Sequence, residues 1–173
     1  MSKCDRNLFP GLVLALAASV VQAAGTVSVK FVEPDKFADA RDTRHDASDN
    51  LRVLAGHIGS AAGRYLADGD RLDVEVLDVD LAGEIWPSRH GLQVVRLLKG
   101  GADFPRIKLR YTLESSGQTA RSGELTISDM AYLQRSGGPH TGDALGHERR
   151  MLDGWFQSRL GARGAAGPVP PLN

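Results

Sequence analysis

The stretch "RLDVEVLDVDLAGEIWP", Arg71 to Pro87, decides how the chain is built. Leu72, Val74 and Val76 alternate with Asp73 and Glu75, the pattern of a strand with one buried face. Continued with a period of two, the same pattern turns Asp78 and Asp80 inward and Leu77, Val79 and Leu81 outward. The alternation therefore predicts a slip at a β-bulge near Leu77, or a strand covered on both faces. Two readings of Asp78, Asp80 and Glu84 follow. In one they sit at a bulge or strand end, capping nearby amides or pairing with an arginine such as Arg96 or Arg110. In the other they converge, with His45 or Asp39, on a divalent cation held by oxygen ligands. An EF-hand is excluded. With Asp78 at position one, position five is Ala82 and position twelve, which must supply a bidentate carboxylate, is Arg89.

Outward from this strand the chain alternates between clear periods and polar connections. "TVSVKFV", Thr26 to Val32, is a second half-buried strand, and Glu33 to Ala47 reads as a long surface loop. Ser48, Asp49 or Asn50 is suited to cap a helix in which Leu51, Leu54, Ile58, Ala61, Ala62 and Tyr65 form one apolar stripe. Gly56, Gly59 and Gly63 lie beside that stripe, pointing either to a close backbone approach or to a Gly-rich chain that tolerates them. Leu92 to Leu98 is apolar enough for a strand. "RIKLRYTL" turns Ile107, Leu109, Tyr111 and Leu113 inward and Arg106, Lys108 and Arg110 outward. That cationic row is expected to face Asp73 and Glu75 across the sheet rather than bind phosphate. "SSGQ" joins this strand to "RSGELTI" as a hairpin.

A last helix, roughly Asp143 to Leu160, places Leu145, Leu152 and Phe156 on one side with Trp155 adjacent, an aromatic anchor for the core. "QRSGGPHTG", from Gln134 to Gly142, is a loop, and residues 161–173 read as a flexible tail. The expected fold is α+β: a two-layer sandwich of a mostly antiparallel sheet, about four to five strands, packed by two helices and occupying residues 24–160.

The N-terminus reads as a targeting segment. Lys3 and Arg6 precede the apolar run "LFPGLVLALAASVV", and Val21 and Ala23 are small enough to place cleavage after Ala23. A retained membrane anchor is the weaker alternative, because the run is short and carries Pro10 and Gly11. Losing residues 1–23 removes Lys3, Arg6 and Asp5 from 21 basic and 21 acidic side chains. The remainder is nearly neutral, so no whole-protein field attracts nucleic acid or an anionic membrane. Cys4, the single cysteine, lies ahead of the apolar run and would be lost with it. An exported chain without a thiol has no disulfide and no thiolate chemistry.

Little else carries chemistry. His45, His57, His90, His140 and His147 show no paired zinc spacing, and "HERRM" lacks the second histidine of a helical zinc motif. His57, at the edge of the helical stripe, is expected to be a satisfied structural histidine; the other four are placed in loops or on solvated faces. There is no Gly-x-Ser-x-Gly elbow, P-loop or dinucleotide fingerprint.

The blocks "FVEPDKFADA", "YLADGDRLDVEVLDVDLAGE", "PRIKLRYTLESSG", "LTISDMAYL" and "HERRMLDGWF" resemble those of the bacterial domain of unknown function 3016 family, from Val27 to Leu160. The resemblance departs at "LADG", where a leucine-proline pair commonly precedes the glycine. It implies a small exported protein and transfers no activity, cofactor or site residue. The leading expectation is a non-enzymatic periplasmic or secreted domain that binds an envelope protein or ligand, without cofactor or membrane span after cleavage. The alternatives are a metal-dependent or acid-base enzyme using Asp78, Asp80 and Glu84, and a purely structural protein.

Overall fold

The computed structural model describes residues 24–41, 46–87, 94–134 and 143–161. Its elements run β1 (Thr26–Phe31), α1 (Ala47–Gly63), β2 (Arg71–Asp80), β3 (Glu84–Pro87), β4 (Val94–Leu97), β5 (Arg106–Glu114), β6 (Arg121–Ser128) and α2 (Gly146–Arg159). The main sheet has four strands in the order β1-β2-β5-β6. β1 runs parallel to β2, with α1 as the crossover, and the other two pairings are antiparallel. The fold is thus α+β, with both helices packed on the sheet: α1 against β1, α2 against β6, and the helices against each other.

The core face repeats the alternation in the sequence. Leu72, Val74 and Val76 of β2 and Ile107 and Leu109 of β5 meet Leu54, Ile58, Ala61 and Ala62 of α1 and Leu152 and Phe156 of α2 in one buried cluster. The register of β2 against β5 slips between Val76 and Asp78, at Leu77. This bulge returns Val79 to the core, where it is fully buried, and leaves Asp78 and Asp80 on the solvent face. The opposite face of the sheet is a ladder of opposite charges. Arg110 bonds both Glu75 (3.0 Å) and Glu124 (2.9 Å), and Lys108 reaches Glu124 at 2.8 Å.

Several local expectations shift. The cap of α1 is Asp46, whose Oδ1 accepts from the Asp49 amide (2.9 Å) and the Ser48 hydroxyl (2.6 Å). Ser48, Asp49 and Asn50 lie inside the helix, and buried Asn50 donates Nδ2–H to the Ala40 carbonyl (3.0 Å). That bond holds the first part of the expected surface loop against the body, where a 3-10 turn at Pro34–Lys36 leads to a bridge between Asp39 and Asp80. Among the described residues, and apart from the helix's own backbone, no atom lies within 4 Å of where a Cβ would sit on Gly56, Gly59 or Gly63, so no close approach there requires those glycines. Of the strand expected over Leu92–Leu98, the described part is β4, outside the main sheet, with positions 92 and 93 lying outside the described residues. It pairs with β3 in a separate two-stranded hairpin. His45, His90, His140, most of the Gln134–Gly142 loop, the targeting segment and residues 162–173 lie outside the described residues.

Candidate functional site

The three carboxylates of the opening stretch are held apart, each by its own partner. Asp78, at the bulge, accepts the Ala38 amide at 2.9 Å. Asp80 pairs with Arg106, through Nε at 2.9 Å and through Nη2. Glu84 lies on β3 and accepts from Trp86 Nε1 and Lys99 Nζ, both at 2.8 Å. The Lys99 ammonium, then the Trp86 indole, hold the Glu84 carboxyl below its ordinary pKa. Among the described residues no three His, Cys, Asp or Glu side chains are grouped to hold a metal ion.

What gathers polar groups instead is the turn after β2, Leu81–Gly83. Gly83 has φ +82, and a Cβ there would lie 2.6 Å from both the Leu97 carbonyl oxygen and Leu98 Cδ2, so the turn needs glycine. Arg96 of β4, its side chain 12% exposed, clamps the turn from the hairpin side. Its Nη1 donates to the carbonyls of Ala82 (2.8 Å) and Gly83 (3.1 Å), and its Nη2 to Asp39 Oδ2 (3.0 Å) and the Arg41 carbonyl. From the helix side Glu148 of α2, only 2% exposed, accepts the Ala82 amide at 2.8 Å. Burial raises the Glu148 pKa, while the Ala82 amide and then Arg96 draw it back. A buried acid of raised pKa has the profile of a proton donor. Its engagement with a backbone amide instead makes it an anchor that joins α2 to the base of the hairpin.

A second contact network lies alongside. The Tyr132 hydroxyl donates to Asp103 Oδ1 and accepts the Gly100 amide, both at 3.3 Å, while Asp103 accepts the Lys99 amide (3.1 Å) with Oδ2. His147 meets the Tyr132 ring edge-on at 4.9 Å. It is half-buried, not on a solvated face, and burial followed by the charge of Arg150 lowers its pKa. His57 behaves as expected: Nε2–H donates to the Arg149 carbonyl (3.0 Å) beside Asp153, and Nδ1 accepts from Arg149 Nε (3.4 Å).

Glu148 escaped the sequence reading, which tested "HERRM" only as a zinc motif. Its signal was present: with Leu145, Leu152 and Phe156 on one helical stripe, Glu148 occupies an apolar position. Arg96 was named only as a partner for the acidic triplet. Its carboxylate partner is Asp39.

The blocks that carry these contacts are those of one family. A family model described as "Protein of unknown function (DUF3016)" matches residues 25–158, well over half of the chain. The chain belongs to this family. No curated protein matches it. Among the described residues of this DUF3016 chain, no helix is long and apolar enough to cross a membrane.

The hairpin in the DUF3016 chain exposes several apolar side chains. Ile85, Trp86, Leu97 and Leu98 are all exposed, Trp86 to 47%, and so is Leu133 next to Gly100. The ladder pairs Glu84 with Leu97 and Trp86 with Val95, which sets Glu84, Trp86 and Leu97 on one face. Trp86 is fixed there, with Nε1 bound to Glu84 and the Lys99 ammonium 4.5 Å from its ring centroid. Glu84, read in the sequence as a candidate ligand, thus positions an exposed aromatic.

Proposed function

We propose that this DUF3016 chain is an exported binding domain of the cell envelope, non-enzymatic, with the apolar face of the β3–β4 hairpin as its contact surface. The observation that carries the reading is Trp86, exposed and engaged by Glu84 and Lys99. Tryptophan is among the side chains most enriched at binding hot spots, and an ordered ring loses little freedom on docking. Leu97, exposed on the same face, adds apolar area beside it. The targeting segment supports export. An acid-base or metal-dependent reading draws on Asp78, Asp80 and Glu84, and each of these is engaged by a different partner.

The test is capture from envelope extract with the chain and with Trp86→Ala. Wild type should recover a specific partner, and the variant should bind it more weakly by about 2 kcal/mol or more, the scale of an interface hot spot. Equal recovery by both forms sinks the hairpin as the contact surface. N-terminal sequencing of the chain recovered from the periplasm should begin at Ala24; retention of residues 1–23 in the cytoplasm would refute export. Addition of calcium, magnesium, manganese or zinc should leave the melting temperature unchanged, since an ion bound only by the native state would raise it.

A further inference from the structure

Only Ala24 and Gly25 separate the expected cleavage point, after Ala23, from the start of β1. The Thr26 amide donates to the Asp70 carbonyl at 2.8 Å, and Thr26–Phe31 runs in parallel register with Arg71–Val76. Val27, Val29 and Phe31 pack against the core. Gly25 lies close against the segment that follows α1: a Cβ on it would stand 2.5 Å from Leu66 Cβ and 2.8 Å from the Ala67 carbonyl oxygen. Only glycine allows that approach. The folded body therefore grips the chain from Gly25 onward, and exposed Ala24 is the one residue between that grip and the Ala23–Ala24 bond. An extended residue spans at most about 3.6 Å. A protease cleft has to enclose the backbone on both sides of the bond it cuts, so the burial and hydrogen bonding of that backbone govern cleavage. One free residue is too short a lead, and in the folded protein the bond is out of reach.

The grip also forms late. β1 is parallel to β2, and a parallel partner is reached only through a crossover, here α1. Arg71, the partner of Thr26, therefore lies about 45 residues further along the chain. β2 in turn takes its second neighbour from β5, Arg106–Glu114. Until those segments have emerged, β1 lacks the strand that holds it in the folded body. At roughly 5–20 residues per second of synthesis, the delay to β2 alone is on the order of a few seconds.

We propose that folding and removal of the targeting segment exclude each other in this chain. The bond after Ala23 is hydrolysed while residues 24–31 are still free, before β1 docks on β2, so the chain crosses the membrane unfolded and a precursor that folds first is not processed. The proposal rests on the reading of residues 1–23 as a cleaved targeting segment and is independent of the hairpin face.

The test presents purified bacterial signal peptidase, in detergent micelles, with a peptide of residues 8–30 and with the full precursor folded before the enzyme is added. A third substrate is the same folded precursor with a flexible Gly-Ser spacer of about eight residues between Ala24 and Gly25. The peptide should be cut after Ala23. The folded precursor should be cut at least about tenfold more slowly, since only the fraction with β1 undocked is a substrate. The spacer should restore the rate of the peptide without changing the melting temperature. Gly25→Ala, whose Cβ forces the backbone away from Leu66, should speed cleavage of the folded precursor and leave that of the matching peptide unchanged. A folded precursor cut as fast as the peptide would overturn the proposal and leave export standing, as would a spacer form as resistant as wild type. A peptide left uncut at Ala23 would overturn the targeting reading itself, and the proposal with it.

Discussion

The sheet-and-helix body and the β3–β4 hairpin are built with opposite polarity. In the body, apolar side chains such as Val76, Leu109 and Phe156 are buried and the charges of Glu75, Arg110 and Glu124 face water. In the hairpin, Arg96 points inward onto Asp39 and the Leu81–Gly83 turn, while Trp86 and Leu97 face out. A two-stranded hairpin has too little surface to bury a core of its own. This one is fastened to the body by charge-assisted hydrogen bonds to backbone, which are directional and tolerate an apolar exterior. The difference teaches that the outward apolar face is affordable because the anchor beneath it is polar.

Perturbations should separate the two regions. The largest effect belongs to the body: Phe156→Ala should lower the global unfolding free energy by about 3–5 kcal/mol, read by denaturant titration, because a fully buried ring leaves a cavity. Next comes the clamp. Arg96→Ala strands the Ala82 and Gly83 carbonyls and the Asp39 carboxylate, at a cost of about 1–3 kcal/mol. Its signature should be local, with amide hydrogen exchange accelerating in β3 and β4 far more than in β2 and β5; uniform acceleration would show that hairpin and body unfold as one unit.

Glu148→Gln keeps an oxygen that can accept the Ala82 amide, so its effect is a function of pH. The folded state raises the Glu148 pKa and therefore holds the proton more tightly than the unfolded chain. Wild type should lose stability relative to the variant as pH rises above the unfolded carboxyl value of about 4.3, levelling off once the folded pKa is passed. Melting curves of both proteins across that range check the sign; a wild type that gains stability relative to the variant with rising pH would contradict it. The smallest effect is expected on the charged face, where Arg110→Ala removes an exposed pair of ion contacts with Glu75 and Glu124. Its change in melting temperature should be slight at low salt and vanish at high salt, because exposed pairs are screened.

How much of this was legible follows the range of each interaction. The four strands of the main sheet, the hairpin at "SSGQ" and the bulge near Leu77 could all be read, since each is written as a period or a break in period over a few neighbouring residues; β3, four residues ending in a proline, was not. The cap of α1 was misplaced because Ser48, Asp49 and Asn50 offer the same side-chain chemistry as Asp46, and only the backbone at Asp46, extended with ψ 174, selects among them. β4 was legible as a strand but not as part of a separate hairpin, because pairing to β3 depends on where the turn at Gly83 sends the chain. The acidic triplet was visible as a cluster in sequence; around the turn its members part company, and Glu84 becomes the support of Trp86.

The sequence by itself determined the layers: alternation of period two placed the faces of β2 and β5, and the helical stripe placed α1 and α2 on one of them. Tertiary structure alone decided the anchor of the hairpin. Glu148 reaches Ala82 across 66 positions and Arg96 reaches Asp39 across 57. A period is a property of neighbouring residues and is set by backbone geometry, whereas a polar partner so distant is selected only when the strand order has brought the two segments together and water has been excluded between them.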